Sequence, residues 1–185
     1  ELLPGNCQRL IGPRYALLRP EFSELRERSL LRRQHPELKR ILISFGGVDR
    51  TNVTGQVLEA IKDSALPPNI ELDIIMGVAA PYLNEVRQQA YRLPFKAAVS
   101  VNVKNMAERM CLADLSIGAA GGTSWERCCL GLPAVLVVLA KNQVEGAEAL
   151  RASSAALTIN NAEKVNATLT PAVLALCDSC LLKQM

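Results

Sequence analysis

The chain has 185 residues, a formal net charge of +3, and a composition that is 49% hydrophobic. This length and composition predict one globular domain with a sizeable core, or one domain with an arm, and they exclude a disordered chain. The mild charge and the lack of a long basic tract argue against nucleic acid as a partner, and they suit an anionic small ligand.

The sequence shows no targeting or membrane-spanning pattern. It begins with Glu1 and has no charged n-region followed by an apolar h-region. The most apolar stretch, residues 130–140, is interrupted by Pro133 and is too short to cross a bilayer. We therefore expect a cytoplasmic protein without stable membrane insertion, present here as a piece of something longer.

The cysteines lack the spacing of a disulfide framework. Cys177 and Cys180 form a single C-x-x-C pair with no second pair and no histidine nearby, whereas a structural zinc site needs four ligands. We expect reduced thiols, no metal and no cofactor. The six positions are Cys7, Cys111, Cys128, Cys129, Cys177 and Cys180.

The predicted elements alternate along the chain. Glycine and proline punctuate the first twenty residues, which are expected to be irregular, and a charged helical pattern then covers residues 21–34 until Pro36 ends it. Apolar runs predict strands at residues 40–45, 70–76, 95–101, 114–118, 134–139 and 155–159. Amphipathic patterns predict helices at residues 51–65, 81–92, 102–112, 124–130 and 142–152, and the remainder is expected to be helical.

This alternation indicates parallel β-α-β units, and the near-continuous Ile, Leu and Val content fits a sheet covered on both faces. We predict an α/β fold, a Rossmann-like doubly wound parallel sheet of about six strands. In such sheets the ligand binds beyond the carboxyl ends of the strands, where the strand order reverses. The informative residues are therefore those that follow each strand.

Two glycines, Gly46 and Gly47, follow the first strand. They allow the backbone to approach a ligand closely, and the next helix is expected to offer free N–H groups that suit phosphate. The segment is neither a G-x-G-x-x-G nor a Walker loop. A plain Gly-Gly turn with Thr51 or Asn52 as helix cap explains the local pattern equally well. After the second strand, Met76 and Gly77 are candidates to border a flat base, although a core methionine and a turn glycine explain them too.

The most informative segment follows the fourth strand, where Gly121 and Gly122 stand directly before a helix. Thr123 and the neighbouring amides are candidates to hold a diphosphate, and the carboxylate of Glu126 could accept hydrogen bonds from two ribose hydroxyls. The local pattern favours another explanation, because Thr123-x-x-Glu126 is the spacing of a capping box.

Asn142 and Gln143 follow the fifth strand and are candidates to donate to a phosphate or sugar oxygen, with Asn142 as a plain N-cap the alternative. The single histidine, His35, lies in a charged linker away from the strand ends. The basic stretch at residues 26–40 is expected to be a solvated helix face. The ligand edge therefore offers no general base. This set of residues is typical of the ligand-binding half of an enzyme and not of a complete active site.

The order of these motifs resembles one family. The segments ILISFGGVDRTN, ADLSIGAAGGTSWERCCLGLPAVLVV and KNQVEGAEAL are similar to the C-terminal half of GT-B-fold nucleotide-sugar proteins, a pattern shared with the UDP-GlcNAc transferase of peptidoglycan synthesis. The closer resemblance is to the UDP-2,4-diacetamido-2,4,6-trideoxy-β-L-altropyranose hydrolases of pseudaminic acid biosynthesis. GPRYALLRPEF also resembles their inter-domain segment, which implies a division into residues 1–36 and a nucleotide-sugar-binding domain at 37–185.

The resemblance implies a metal-independent hydrolysis in which water attacks the anomeric carbon and UDP leaves. The water-activating histidine of that family lies in a Gly-x-Gly-His segment of the N-terminal domain. This chain has no such segment and His35 does not match it. We therefore expect a UDP-sugar as ligand, the missing N-terminal domain as partner, and no activity from this chain alone.

The resemblance also assigns roles to the candidate residues. Glycine amides and Thr123 would cradle the diphosphate, Glu126 would hold the ribose, and Asn142 would position the leaving group and sugar. The substrate-binding candidates are Gly46, Gly47, Asn52, Met76, Gly77, Gly121, Gly122, Thr123, Glu126, Asn142 and Gln143.

Two other functions fit the same sequence. A glycosyltransferase half would use a sugar or lipid acceptor in place of water, and fold cannot separate it from a hydrolase. A non-catalytic subunit could instead dock onto a partner chain through the basic stretch at residues 26–40.

Overall fold

The computed structural model describes residues 4, 6–8, 10 and 12–176. The strands are β1 (Arg40–Ser44), β2 (Glu71–Met76), β3 (Lys96–Val101), β4 (Leu115–Ala119), β5 (Ala134–Val137) and β6 (Leu157–Ile159). The helices are α1 (Pro20–Arg32), α2 (Val53–Lys62), α3 (Leu83–Tyr91), α4 (Met106–Leu112), α5 (Thr123–Cys129), α6 (Val144–Ala152) and α7 (Val165–Ala175). Single 3-10 turns cover Pro13–Tyr15, Lys141–Gln143 and Ala162–Lys164.

The six strands form one parallel sheet in the order β3-β2-β1-β4-β5-β6. The chain builds outward from β1 to β3 and then crosses back to β4 on the other side of β1. This confirms the predicted α/β class and the doubly wound, Rossmann-like sheet. The reversal lies between β1 and β4, whose carboxyl ends meet through the paired residues Ser44 and Gly118.

Both faces of the sheet are covered, as the apolar strands require. One face packs against α2, α3 and α7, with Ile43, Ile74 and Val57 fully buried among them. On the other face, α1 and α4 enclose Phe22 and Leu42, and a smaller cluster lies under α6. Helix α1 precedes the proposed boundary at residue 36, and that boundary stays a prediction.

The basic stretch at residues 26–40 is not simply a solvated face, which corrects the expectation from sequence. Arg32 places its Nη2 2.6 Å from Oδ1 of Asp114. Arg33 donates from Nη2 to the carbonyls of Met110 and Ala113, at 3.0 and 2.9 Å. These carbonyls belong to the end of α4, where helices leave acceptors unsatisfied. The cations therefore fasten α1 to α4.

The element types predicted for residues 20–176 are correct, and the differences lie at the ends of the elements. The helix expected beyond residue 176 lies outside the described residues. The fourth helix begins at Met106 and not at residue 102, because Asn102 adopts a φ of 50°.

The four cysteines in the described part, Cys7, Cys111, Cys128 and Cys129, are free thiols. The Cys177 and Cys180 pair lies outside the described residues. Within those described, no helix is long and apolar enough to cross a bilayer.

Candidate functional site

The two glycine-bearing turns lie at one edge of the sheet, at the reversal of strand order. Gly46 and Gly47 follow β1, and Gly121 and Gly122 follow β4, which is the neighbour of β1. The sequence-predicted turns are therefore together at the place where open α/β sheets bind ligands.

Both turns carry main-chain amides without partners. The N–H groups of Gly46, Gly47, Gly121 and Gly122 donate to no other group in the part of the chain that the structure describes. A Cβ built on Gly46, Gly47 or Gly122 would meet no atom within 4 Å. Packing therefore does not demand glycine at 47 or 122, and the space above both turns is open. Such amides can donate to phosphate oxygens.

The turns after β1 and β2 touch each other. A Cβ on Gly77 would lie 1.9 Å from the carbonyl oxygen of Gly47, so only glycine fits there. Met76 is 3% exposed and packs in the core, so little of its side chain reaches the ligand edge.

The amino end of α2 is already occupied, contrary to the expectation of free N–H groups there. The carboxylate of Asp49 accepts hydrogen bonds from the amides of Val53 and Thr54, both at 2.9 Å. Asn52 accepts from the amide of Gly55 at 3.1 Å and is the N-cap residue. The alternative of Asn52 as a helix cap is thus confirmed. An anion at this turn must bind the glycine amides and not the helix end.

The capping box at Thr123 and Glu126 does not form. The N-cap residue of α5 is Gly122, and no side chain caps this helix. Glu126 instead turns toward Arg19, with 3.8 Å between its Oε1 and Nη2 of the arginine. Its Oε2 is buried and has no hydrogen-bond partner among the described residues. The carboxylate therefore keeps hydrogen-bonding capacity that the described residues do not use, as the ribose hypothesis requires.

Burial raises the pKa of Glu126, and the nearby Arg19 and Arg127 partly oppose this rise. A desolvated carboxylate with one unpartnered oxygen is stabilised when hydroxyl donors reach that oxygen. Arg19 also stacks over the Phe22 ring at 5.2 Å and pairs with Glu21 at 2.9 Å. These contacts hold its guanidinium beside the glutamate.

A groove of about 420 Å³ opens beside the turn after β4. Its lining contains no charged residue, and it includes the buried hydroxyl of Ser124, which has no partner. Gln143 accepts from the amide of Leu139 at 2.9 Å through its Oε1, and Asn142 is exposed within a 3-10 turn and does not cap α6. The residues around the groove are Ala120, Gly121, Gly122, Ser124, Trp125, Asn142, Gln143, Gly146 and Leu150.

His35 lies away from this site. It is exposed and stands just before the amino end of β1, on the opposite edge of the sheet from the glycine turns. The structure also places four residues at the site that sequence reasoning missed, namely Asp49, Ser124, Arg19 and Arg127. Only Asp49 carried a usable signal, since an acidic residue ahead of a helix is a common cap.

Comparison with known proteins gives a consistent picture. Residues 41–184 match the glycosyltransferase family 28 C-terminal domain. The chain is 36% identical over 136 residues to the uncharacterized protein MJ1062 of Methanocaldococcus jannaschii, covering 72% of this chain and 27% of that protein. It is 29% identical over 162 residues to the spore coat polysaccharide biosynthesis protein SpsG of Bacillus subtilis, covering 87% and 46%. The chain thus spans less than half the length of these curated relatives.

Among solved structures, MurG of Acinetobacter baumannii superposes with a TM-score of 0.68 and 20% identity. The superposition covers 84% of this chain and 47% of that one. At this identity the likeness establishes the fold, which is that of the C-terminal half of a GT-B protein.

Proposed function

This chain belongs to the glycosyltransferase family 28 C-terminal domain family, and from that premise we propose that it binds the uridine diphosphate of a UDP-sugar. The observation that carries the proposal is the pair of turns with unpartnered amides beside a buried, unpartnered carboxylate oxygen. Amides of Gly46, Gly47 and Gly122 donate to the phosphates, and Thr123 adds a hydroxyl. Glu126 accepts from the ribose.

The groove beside α5 is the place we propose for the sugar. Its lining is uncharged, so it suits a neutral ring better than a phosphate. Trp125 offers an apolar wall, and the amides of Asn142 and Gln143 offer donors and acceptors for hydroxyl or acetamido groups. The groove adjoins Gly121 and Gly122, so a sugar there would lie next to the diphosphate.

We propose that the whole enzyme is a hydrolase of a UDP-diacetamido-trideoxyhexose, as the family resemblance implies. Water attacks the anomeric carbon, the bond from that carbon to the phosphate oxygen breaks, and UDP departs. Preorganised amides stabilise the negative charge that develops on UDP. The base that activates the water belongs to an N-terminal domain, because His35 is at the opposite edge of the sheet.

A glycosyltransferase is the second candidate, favoured by the match to a glycosyltransferase domain. The leaving-group chemistry is identical in both, and only the attacking group differs. To distinguish a hydrolase from a glycosyltransferase, this chain is rejoined to its N-terminal domain and given a UDP-sugar in water labelled with heavy oxygen. A hydrolase places the heavy oxygen on the released sugar without any acceptor, whereas a transferase releases UDP only when an acceptor is added.

Titration calorimetry of this chain with UDP, UMP, CMP and ADP tests the binding proposal. We expect UDP to bind more tightly than UMP, and both to bind more tightly than CMP or ADP. Equal heats for UDP and ADP, or no heat with any of the four, would refute it. A stable complex with a protein partner in the absence of nucleotide binding would support the docking subunit instead.

A further inference from the structure

A buried guanidinium lies beneath the turn that follows β4. Arg127 is 2% exposed; its Nε donates to Oγ of Ser116 at 2.9 Å and its Nη1 to the carbonyl of Ala119 at 3.1 Å. A Cβ on Gly118 would lie 2.3 Å from Nη2 of Arg127 and 2.4 Å from the carbonyl of Ser44. The glycine thus makes room for the guanidinium where the ends of β1 and β4 meet.

Arg127 has no ion-pair partner. In residues 12–176 no carboxylate oxygen lies within 4.0 Å of its nitrogens, and its Nη2 donates to no group there. The acid next to it in sequence, Glu126, contacts Arg19 instead. Burial lowers the pKa of Arg127 to about 10, so the group stays cationic at neutral pH.

Neither hydrogen bond of Arg127 uses its charge on an anion, because the acceptors, the Ser116 hydroxyl and the Ala119 carbonyl, are both neutral. The Glu126 carboxylate compensates this charge only from a distance, without an ion-pair contact. Burying a cation without an ion-pair contact costs free energy, and natural proteins normally supply one. The guanidinium bonds the carbonyl of Ala119 at the end of β4, and the turn that follows carries the unpartnered amides of Gly121 and Gly122.

We propose that the diphosphate of the bound nucleotide is the counter-charge of Arg127. This rests on the proposed function. The residue is too buried to touch the ligand, so it acts as a positioning residue: it holds the carbonyl of Ala119 at the start of the turn, and its charge attracts the phosphates through the turn. Attraction across a desolvated turn is screened less than in water. Discrimination between UDP and uridine therefore depends on the charge at position 127.

The test compares Arg127→Gln, which keeps a donor and removes the charge, with Arg127→Lys, which keeps the charge. Titration calorimetry measures UDP, and uridine is measured by its competition with UDP. We expect Arg127→Gln to weaken UDP about tenfold or more and uridine less than about twofold, and Arg127→Lys to retain most of the preference for UDP. If Arg127 has a purely structural role, each variant should lose affinity for UDP and for uridine by the same factor, and the two variants should lose similar amounts. Either result overturns the inference.

If Arg127→Gln does not fold, the double variant S116A/R127M removes the cation together with the hydroxyl that it would otherwise orphan. Urea unfolding confirms that the variant is folded, and the same ratio of UDP to uridine affinity is measured. An unchanged ratio overturns the inference while the proposed function stands. No UDP binding by the unsubstituted chain refutes both.

Discussion

Glu126 gives the sharpest test of the site, because its two interpretations predict opposite results. Its Oε2 is buried without a donor, and Oε1 has only Arg19 at 3.8 Å. One ribose hydroxyl bonded to this carboxylate contributes about 1.5–3 kcal/mol, since hydrogen bonds to charged groups are the stronger class. Glu126→Ala should therefore weaken UDP binding about 10- to 150-fold.

The same substitution should hardly change the stability of the empty chain. The carboxylate caps no helix, so its removal orphans no amide. The pair with Arg19 is long and partly exposed, and such pairs contribute about 0–1 kcal/mol. Removing the carboxylate also removes the free-energy cost of its desolvation, which offsets the loss of the ion pair. Urea unfolding should show a change of less than about 1 kcal/mol.

A thermodynamic cycle that combines Glu126→Ala with 2′-deoxy-UDP tests whether the carboxylate contacts the ribose 2′-hydroxyl. The unsubstituted chain should prefer UDP over 2′-deoxy-UDP, and Glu126→Ala should bind the two equally. Glu145→Ala is the matched control, because Glu145 is an exposed acid in the first turn of α6. An unchanged UDP affinity with a loss of about 1 kcal/mol in stability would refute the reasoning and restore the capping role.

Three further predictions concern the same edge of the sheet. Burial raises the pKa of Glu126 above its ordinary 4.5, so protonation of this carboxyl stabilises the folded state. This contribution is complete below pH 4.5 and is lost as the pH rises through the pKa of the folded state. The stability of the unsubstituted chain relative to Glu126→Gln should therefore fall over that range in urea unfolding, and a constant difference would count against the raised pKa. Gly77→Ala should cost about 1–3 kcal/mol in urea unfolding because of the 1.9 Å approach of the Gly47 carbonyl, whereas Gly122→Ala, in open space, should cost less than about 0.5 kcal/mol. Gly146→Leu should fill the groove and raise helix stability by up to about 1 kcal/mol. In calorimetry the variant should keep its affinity for UDP but lose the additional affinity for a UDP-sugar. An unaltered affinity for the UDP-sugar would show that the sugar does not bind in this groove.

The fold could be predicted because it depends on long-range regularities of the sequence. The central strands β1, β2, β4 and β5 are rich in Ile, Leu and Val, which have no other stable place than between two layers of helices. The alternation with amphipathic helices then leaves only a parallel, doubly wound sheet. The positions of the glycine turns follow from that topology, so Gly46 and Gly122 could be placed on one edge before any coordinates were known.

The use of individual side chains could not be predicted, because the same local pattern supports more than one arrangement. Thr123 and Glu126 have the spacing of a capping box, yet Gly122 occupies the N-cap position and the glutamate turns to Arg19 instead of the helix end. Arg127 reads as a surface charge on a short helix, since arginine is rarely buried. Its burial depends on the missing side chain of Gly118, on a different element.

The anchoring of Asp49 and Asn52 onto the start of α2 has a consequence for the kinetics of recognition. Three hydrogen bonds, at 2.9, 2.9 and 3.1 Å, tie residues 49–55 together within the protein itself. The backbone entropy of that segment is thus already lost on folding, and an arriving molecule does not have to order it. Association at this turn should therefore proceed without a slow rearrangement, and the loop should keep one shape whether the site is vacant or filled.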